Sequence, residues 1–545
     1  MRTGEEHPVG TDPAGTEQLS GKSAELERSD SSRAATSRRL WVALAWIVGC
    51  ITLFAFFLRI SLSSAVNSDG ANNALQAWDL LHGHVLLHGW LIGDATYYTF
   101  ELPVLALSEL LFGLRDLASH VASALAYGIV AVCAVALAMT NSRGPARLAR
   151  CGIVIAVLAA PLLVPSNAWI ALGAPNHIRT SAFLLVSFLL IDRVPTARYT
   201  APLLCVILCA GQLGDAIVGY IAVPVIAGVC ACRVLAARKV RTADTVIGLA
   251  AIASVPLETA VRAVMRHLGA YLMVAPRIRL APPRQWPHNV ALTVHAIREL
   301  FGAIVAPNAP LGVAGTIFGI GCLLAALAGL VRVIVTWRSA SRAEQCLCVA
   351  LVANVAAYEI TTMPRLFNPY EMGAVLPCGA VLAARAVVPA AIAGLRRARI
   401  VPAAAGVAAL LPLAAAASAA PAAEPGATLV PWLRAHHLSY GLASYWNSSA
   451  ITEEAGNKVA LRTVDVHGRQ ATMYDWETNT LWFSPSRNDA SFVVVKRGDP
   501  TLTAAQVIHA FGKPASVDRV ADWEILAYRW NLLKRVTRAP LPPTQ

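Results

Sequence analysis

Apolar runs of membrane-crossing length recur through residues 40–420, and no other feature narrows the fold of this chain so far. The first, Leu40–Leu58, holds about 19 apolar or small residues, enough to span a hydrocarbon core. Further runs lie at roughly 118–140, 149–166, 178–191, 201–213, 217–231, 245–261, 312–336, 346–363, 371–392 and 398–418. With the first they make eleven predicted spans. In lipid each must be a helix, because a helix satisfies its backbone hydrogen bonds within one segment. The chain is 56% hydrophobic and 14% charged over 545 residues, too apolar for a soluble protein of this size. Its net charge of +13 lies largely in short arginine clusters between the runs. Such clusters are topology signals rather than a nucleic-acid surface.

Charge orients the chain. Arg33, Arg38 and Arg39 precede the first run and place the N-terminus in the cytoplasm. On alternate sides the loops then hold Arg143, Arg147 and Arg150; Arg193 and Arg198; the 233–241 cluster; Arg332, Arg338 and Arg342; and the 396–399 cluster. The short loops near 167–177, 214–216 and 364–370 face outward and hold only Arg365. An odd number of spans puts residues 421–545 outside. The stretch Glu101–Gly113 is apolar but only about 13 residues long, so it reads as an interfacial or re-entrant helix on the outer surface. Residues 262–311 read as a long outer loop.

Three domains follow. Residues 1–39 are polar, without apolar periodicity, and are expected to be a disordered cytoplasmic tail. Residues 40–420 form an all-α polytopic membrane domain. Residues 421–545 are polar, tryptophan-rich and mix helix and strand patterns, as in a small extracytoplasmic α+β domain. Helices are expected at 428–437, 443–454 and 503–511, and strands at 459–466, 492–496 and 524–530. All 11 cysteines precede residue 379, so the outer domain has no disulfide framework, and no zinc spacing occurs. The Ala- and Arg-rich usage points to a high-GC bacterium and hence to a bacterial plasma membrane.

Outer segments carry the residues with chemistry. Asp69 lies in Asn67-Ser68-Asp69-Gly70, just outside the first span. A helix follows, with Ala71, Ala74, Leu75, Trp78 and Leu81 on its apolar face and Asn72, Asn73, Gln76 and Asp79 opposite; Gly83 closes it. Asp is a favoured N-cap, so Asp69 has a structural reading beside a catalytic one. Asp94 and Glu101 flank Tyr97 and Tyr98 at the start of the second surface helix. His177 lies in a short outer loop. Arg365 and Tyr370 share the outer loop Met363–Glu371. Carboxylates supply a base, and an arginine supplies a planar fork for phosphate.

This pattern resembles the GT-C class of membrane glycosyltransferases, which includes protein O-mannosyltransferases and the transferases that modify lipid A. Asp69 with the helix to Gly83, Tyr98-Thr99-Phe100-Glu101-Leu102-Pro103 through Leu111-Phe112-Gly113, the span from Arg115 to Thr140, Gly211-Gln212-Leu213-Gly214-Asp215 and the Arg365/Pro369-Tyr370 loop carry the likeness over residues 40–390. The resemblance implies sugar transfer from a polyprenyl-phosphate lipid to an envelope glycan, lipid or protein acceptor at the outer leaflet. Asp69 would be the base, Arg365 would hold the donor phosphate, and Asp94, Glu101, His177 and Tyr370 would contact substrate. The sequence departs from the family in two respects, one being that Asp69 is followed by Gly70 rather than by a second acid. The loop Ala174-Pro175-Asn176-His177 lacks a second acid, so no metal-assisted step and no cofactor are expected. Two alternatives share the spans: a flippase or transporter of lipid-linked sugars, and an inactive relative whose outer domain binds an envelope partner.

Overall fold

The computed structural model describes residues 14–164, 167–193, 197–237, 242–274, 278–306, 311–366, 368–394 and 400–538. The arginine clusters at 238–241 and 395–399 lie outside them, as does Arg277. Helix α1 (Ala14–Ser61) carries the first span, Leu40–Ser61. Its N-terminal half corrects the expectation of an unstructured tail, because residues 14–39 are helical. Good helix formers, Glu17-Gln18-Leu19 and Lys22 to Arg28, let a helix nucleated in the span propagate outward at no further nucleation cost. Residues up to Phe54 form one compact unit, and Ala55 onward forms a second.

In that second unit, two short helices, α2 (Ser68–Leu81) and α3 (Glu101–Phe112), precede the remaining spans. There follow α4 (Asp116–Ala138), α5 (Pro145–Ala159), α6 (Ala168–Leu172), α7 (His177–Thr180), α8 (Ala182–Arg193), α9 (Ala197–Gly214), α10 (Ala216–Ala237) and α11 (Thr242–His267). Helices α12 (Trp286–Leu300), α13 (Gly312–Val335), α14 (Arg342–Glu359), α15 (Val375–Gly394) and α16 (Ile400–Ala417) complete the bundle.

Among the described residues, 8 segments are long and apolar enough to cross a membrane: Leu40–Ser61, α4, Pro145–Leu163, α10, α11, α13, Val375–Ile392 and α16. The predicted eleven are therefore not all matched. The other three runs are also helical: α8 has 12 residues, α9 has 18 and carries Arg198 and Gln212, and α14 contains Arg342, Glu344 and Glu359. Part of the apolar surface of α8 and α14 packs against protein. Helix α13 shows the lipid-facing case, with Val313, Ile317, Ile320, Leu324, Leu327, Val331 and Val335 exposed along one side. The expected outer loop 262–311 is also largely regular, since α11 runs on to His267 and α12 fills 15 residues of it.

Ion pairs join helices of the bundle, one from the middle of α15 to the end of α8 and one between the starts of α14 and α11. Arg385 Nη2 lies 3.1 Å from Asp192 Oδ2, and Arg342 Nη2 lies 2.6 Å from Asp244 Oδ1.

The last 120 or so residues form an α+β domain. Helices α17 (Leu429–Ala435), α18 (Tyr445–Glu454) and α19 (Ala504–Phe511) pack on a sheet. Two cores, one on each face of that sheet, hold the domain together: Leu433, Ile451, Leu461 and Ile525 on one, and Leu442, Val493, Val507 and Leu526 on the other. Strands in chain order are β1 (Trp90–Ile92), β2 (Leu272–Met273), β3 (Tyr440–Ala443), β4 (Ala460–His467), β5 (Gln470–Met473), β6 (Thr478–Asn479), β7 (Phe492–Lys496), β8 (Ser516–Val520), β9 (Trp523–Ala527) and β10 (Val536–Thr537). Seven of them form the domain's sheet in the order β10-β5-β4-β3-β7-β9-β8. Its centre is parallel, with Tyr440 opposite Ala460 and Gly441 opposite Phe492, and its flanks are mainly antiparallel. A second, three-stranded sheet in the order β2-β1-β6 stitches this domain to the loops of the membrane domain.

Candidate active site

The helix-capping reading of Asp69 is excluded by the cap itself. Helix α2 begins at Ser68, and Asn67 is its N-cap, its Oδ1 accepting from Gly70 N at 2.9 Å. The Asp69 carboxylate is therefore left for other partners, and its Oδ1 accepts from the hydroxyl of Tyr445. The polar side of α2 does not face water as its pattern suggested. Asn72, Asn73 and Gln76 are buried, and Ser449 Oγ of α18 donates to Asn72 Oδ1 at 2.6 Å. The C-terminal domain covers that side.

One cavity of ≈ 940 Å³ gathers residues from most of the segments expected to lie outside. Asp69 of α2, Asp94, His177, Arg365 and Tyr370 line it, as the sequence led one to expect of a shared site. Arg279, Glu371, Trp169, Trp476 and Glu477 join them. Arg279 is brought to Arg365's loop by backbone pairing: Thr362 N donates to Arg279 O at 2.9 Å, and Arg279 N donates to Thr362 Oγ1 at 3.1 Å. Arg365 is exposed to the cavity. The Trp169 and Tyr370 rings meet edge to face at 5.5 Å. Trp476 lies on Gly93, where a Cβ would stand 2.7 Å from its ring, so only glycine admits the contact.

His177 is the ionic centre of one wall. Its Nδ1 lies 2.7 Å from Asp215 Oδ2 and its Nε2 3.0 Å from Glu371 Oε2, all deeply buried. Burial opposes charge on the ring, but the two carboxylates outweigh it and hold the imidazole protonated well above its ordinary range. Asp215 also accepts from Thr180 Oγ1 and Ile217 N, and its carboxyl is held below the usual range: burial works upward, and the charge of His177 together with the bonds from His177, Thr180 and Ile217 outweighs it. Asp94 is pushed up to about 6, first by burial and then by the charge of Glu371. Donor atoms of Asp94, His177 and Glu371 lie within 4.8 Å of one another, a spacing that suits a cation. Both ring nitrogens are already engaged, so the imidazolium itself supplies the positive charge between these acids.

Glu101 does not line the cavity. It lies behind the His177 loop, with Oε2 2.9 Å from Arg179 Nε and Oε1 accepting from Asn176 N at 3.2 Å. Glu371 was visible in the Pro369-Tyr370-Glu371 motif but had no distinguishing spacing. Asp215 stood in the Gly211–Asp215 stretch of the family likeness without a role of its own. Tyr445 and Glu477 carried no local signal, since they sit about 400 residues along the chain from Asp69.

Helices of membrane-crossing length, the two short helices α2 and α3 and a C-terminal sheet domain that closes one cavity define the fold. Among solved structures the chain is similar to ArnT from Cupriavidus metallidurans in the apo state, at TM-score 0.56 and 12% identity over 91% of this chain and 99% of that one. It is similar to the same protein bound to undecaprenyl phosphate, at TM-score 0.53 and 12% identity over 89% and 98%. At such identity the likeness is one of fold. No protein-family model and no curated protein matches the sequence.

Proposed function

We propose that this protein is an integral-membrane glycosyltransferase that moves a sugar from a polyprenyl-phosphate donor to a cell-envelope acceptor at the outer leaflet. The observation that carries the reading is the meeting of a carboxylate not used as a cap, Asp69, with two arginines, Arg279 and Arg365, in one aromatic-walled cavity. The fold likeness to a structure with bound undecaprenyl phosphate supports the donor class. The acceptor hydroxyl attacks the anomeric carbon, its proton passes to Asp69, and the bond to the phosphate oxygen breaks with its electron pair leaving on phosphate. Arg365 and Arg279 hold that phosphate by planar forks. Trp169, Tyr370 and Trp476 offer faces for sugar. A single displacement inverts the anomeric centre. His177, fixed between Asp215 and Glu371, gives the polar wall its charge without a divalent ion. A flippase needs no base, and Asp69 separates the two readings.

The topology that goes with this reading has eleven crossings, with α8, α9 and α14 as the three further spans. The cavity residues come from segments predicted to lie outside, and the Arg342–Asp244 pair joins two helix starts beside loops predicted to lie inside, which supports the parity. The plasma membrane is the expected location, with an extracytoplasmic C-terminus.

Asp69→Asn tests the assignment. The variant should fold as the parent does, because Asn67 and not Asp69 caps α2, and turnover should fall about 10²-fold or more. A variant with full turnover on a polyprenyl-phosphate-linked sugar would overturn the base.

A further inference from the structure

One wall of the cavity is made by the C-terminal domain, and it reaches the base directly. Tyr445, the first residue of α18, donates its hydroxyl to Asp69 Oδ1. Bonds on both sides hold it there: Ser68 Oγ donates to Tyr445 O at 2.5 Å, and Ser449 Oγ, a turn further on, to Asn72 Oδ1 at 2.6 Å. Glu477 arrives from another part of the same domain. It immediately precedes β6, whose pairing with β1 sets Thr478 opposite Leu91 and Asn479 opposite Trp90. Strand β1 leads into Asp94, so one small sheet positions both acids.

Glu477 is 7% exposed, lines the cavity and has a buried carboxyl oxygen without a hydrogen-bond partner. Its φ of 45° is left-handed, unusual for a residue with a side chain. Such strain persists only where the surroundings over-determine it, and it concentrates at functional sites. No salt bridge to Glu477 occurs among the described residues. An acid buried, unpaired and aimed into a cavity is set up to stay protonated and to donate.

We propose that the C-terminal domain completes the catalytic site: Tyr445 orients Asp69 as the base, and Glu477 is the general acid for the departing phosphate. The proposal rests on Asp69 being the base. As the acceptor oxygen bonds to the anomeric carbon, its proton passes to Asp69. As the bond from that carbon to the phosphate oxygen breaks, the electron pair goes to that oxygen, which takes the proton of Glu477. Transfer of the proton from Asp69 to Glu477 then restores the pair, so one proton moves from acceptor to phosphate in each turnover. Glu477 also answers the missing second acid, which comes from the outer domain and not from a membrane-domain loop.

The protonation states agree with these roles. Burial, then the charges of Asp69 and Asp94, hold Glu477 protonated well above the usual carboxyl range. Burial raises Asp69 too, but the Tyr445 bond opposes it. The Tyr445 hydrogen bond, made to Asp69 and not to Glu477, distinguishes the two neighbouring acids. Other titratable groups facing the pair are Asp94, Tyr370 and Tyr97, with Asp465 and Asp475 on the outer-domain wall. Arg279, Arg365, His177 and Glu371 face it across the cavity.

The test is the pH profile of kcat/KM for the full-length protein on a polyprenyl-phosphate-linked sugar. Wild type should give a bell, with an acid limb from Asp69 and an alkaline limb from Glu477. Glu477→Gln should lose the alkaline limb and about 10²-fold in plateau rate. Tyr445→Phe should move the acid limb to higher pH, because the lost bond had held Asp69 lower. Thermal melts check that both variants fold. If Glu477→Gln does not fold, the Tyr445→Phe profile decides. Wild-type profiles in both variants, with Asp69→Asn inactive, would overturn the proposal and leave the base standing. An active Asp69→Asn would overturn the base itself.

Discussion

At the residue scale, His177 and the two arginines separate structural from chemical roles. His177 balances two buried carboxylates, Asp215 and Glu371. Removing one partner of such a network leaves uncompensated buried charge and costs about 3–5 kcal/mol. His177→Gln should therefore lower the unfolding midpoint in detergent strongly, and Asp215→Asn in the same background should recover part of the loss. Arg365 makes no ion pair among the described residues, so its substitution should spare stability. Arg365→Lys should weaken donor affinity because ammonium cannot form the bidentate fork, and Arg365→Ala should weaken it further. Donor titration on purified protein checks this. Equal affinity in all three would move the phosphate to Arg279 or elsewhere.

At the element scale, the site depends on two close approaches. The turn after Glu371 passes so near the His177 loop that a Cβ on Gly373 would stand 2.2 Å from His177 O. Backbone cannot yield as a flexible side chain does, so Gly373→Ala should displace Glu371 from His177 and lower both stability and turnover. The second approach is α18 against α2 and α4. Glu453 of α18 is fully buried, and Ser119 Oγ donates to its Oε1 at 2.5 Å. Burial, then the charge of Asp116, push Glu453 up to about 8 from the usual 4.5. A folded pKa above the unfolded one gives stability that is full below about pH 4.5 and lost as pH rises through about 8. Melting temperature should fall across that window, and Glu453→Gln should flatten that part of the fall. A variant with an unchanged pH slope would show that this carboxyl is not the group being titrated.

At the scale of the whole molecule, the argument is topological. Loops from seven places in the chain can share one cavity only if they lie on one side of the membrane. A reporter fused after Gln545 should read as extracytoplasmic and one fused after Arg150 as cytoplasmic. A cytoplasmic C-terminus would remove the outward placement of Asp69 along with the parity. The expectation of metal-independent transfer belongs to this scale too. Chelator-treated protein should keep its turnover, since His177 supplies the charge that the acids around it require.

Much of the architecture was legible in the sequence. Apolar length and arginine asymmetry act locally and one segment at a time, so helices at all the expected runs, the α3 surface helix and the α+β character of the last 120 or so residues could be read directly. Strand β7 and helices α17 to α19 were legible for the same reason. How many runs cross lipid was not, because burial against protein and burial in lipid select the same residues, as α8, α9 and α14 illustrate. The site was half legible. Asp69, Asp94, His177, Arg365 and Tyr370 stood out as polar groups in short outer loops, and the cavity joins them. Glu101 stood out equally and is turned away by Arg179. Tyr445 and Glu477 were invisible, because a hydrogen bond or a strand pairing across some 376 residues leaves no mark on local composition. Apolar patterning along the chain specifies which segments are buried; only the packed structure decides which buried acids meet, and that meeting sets their charge.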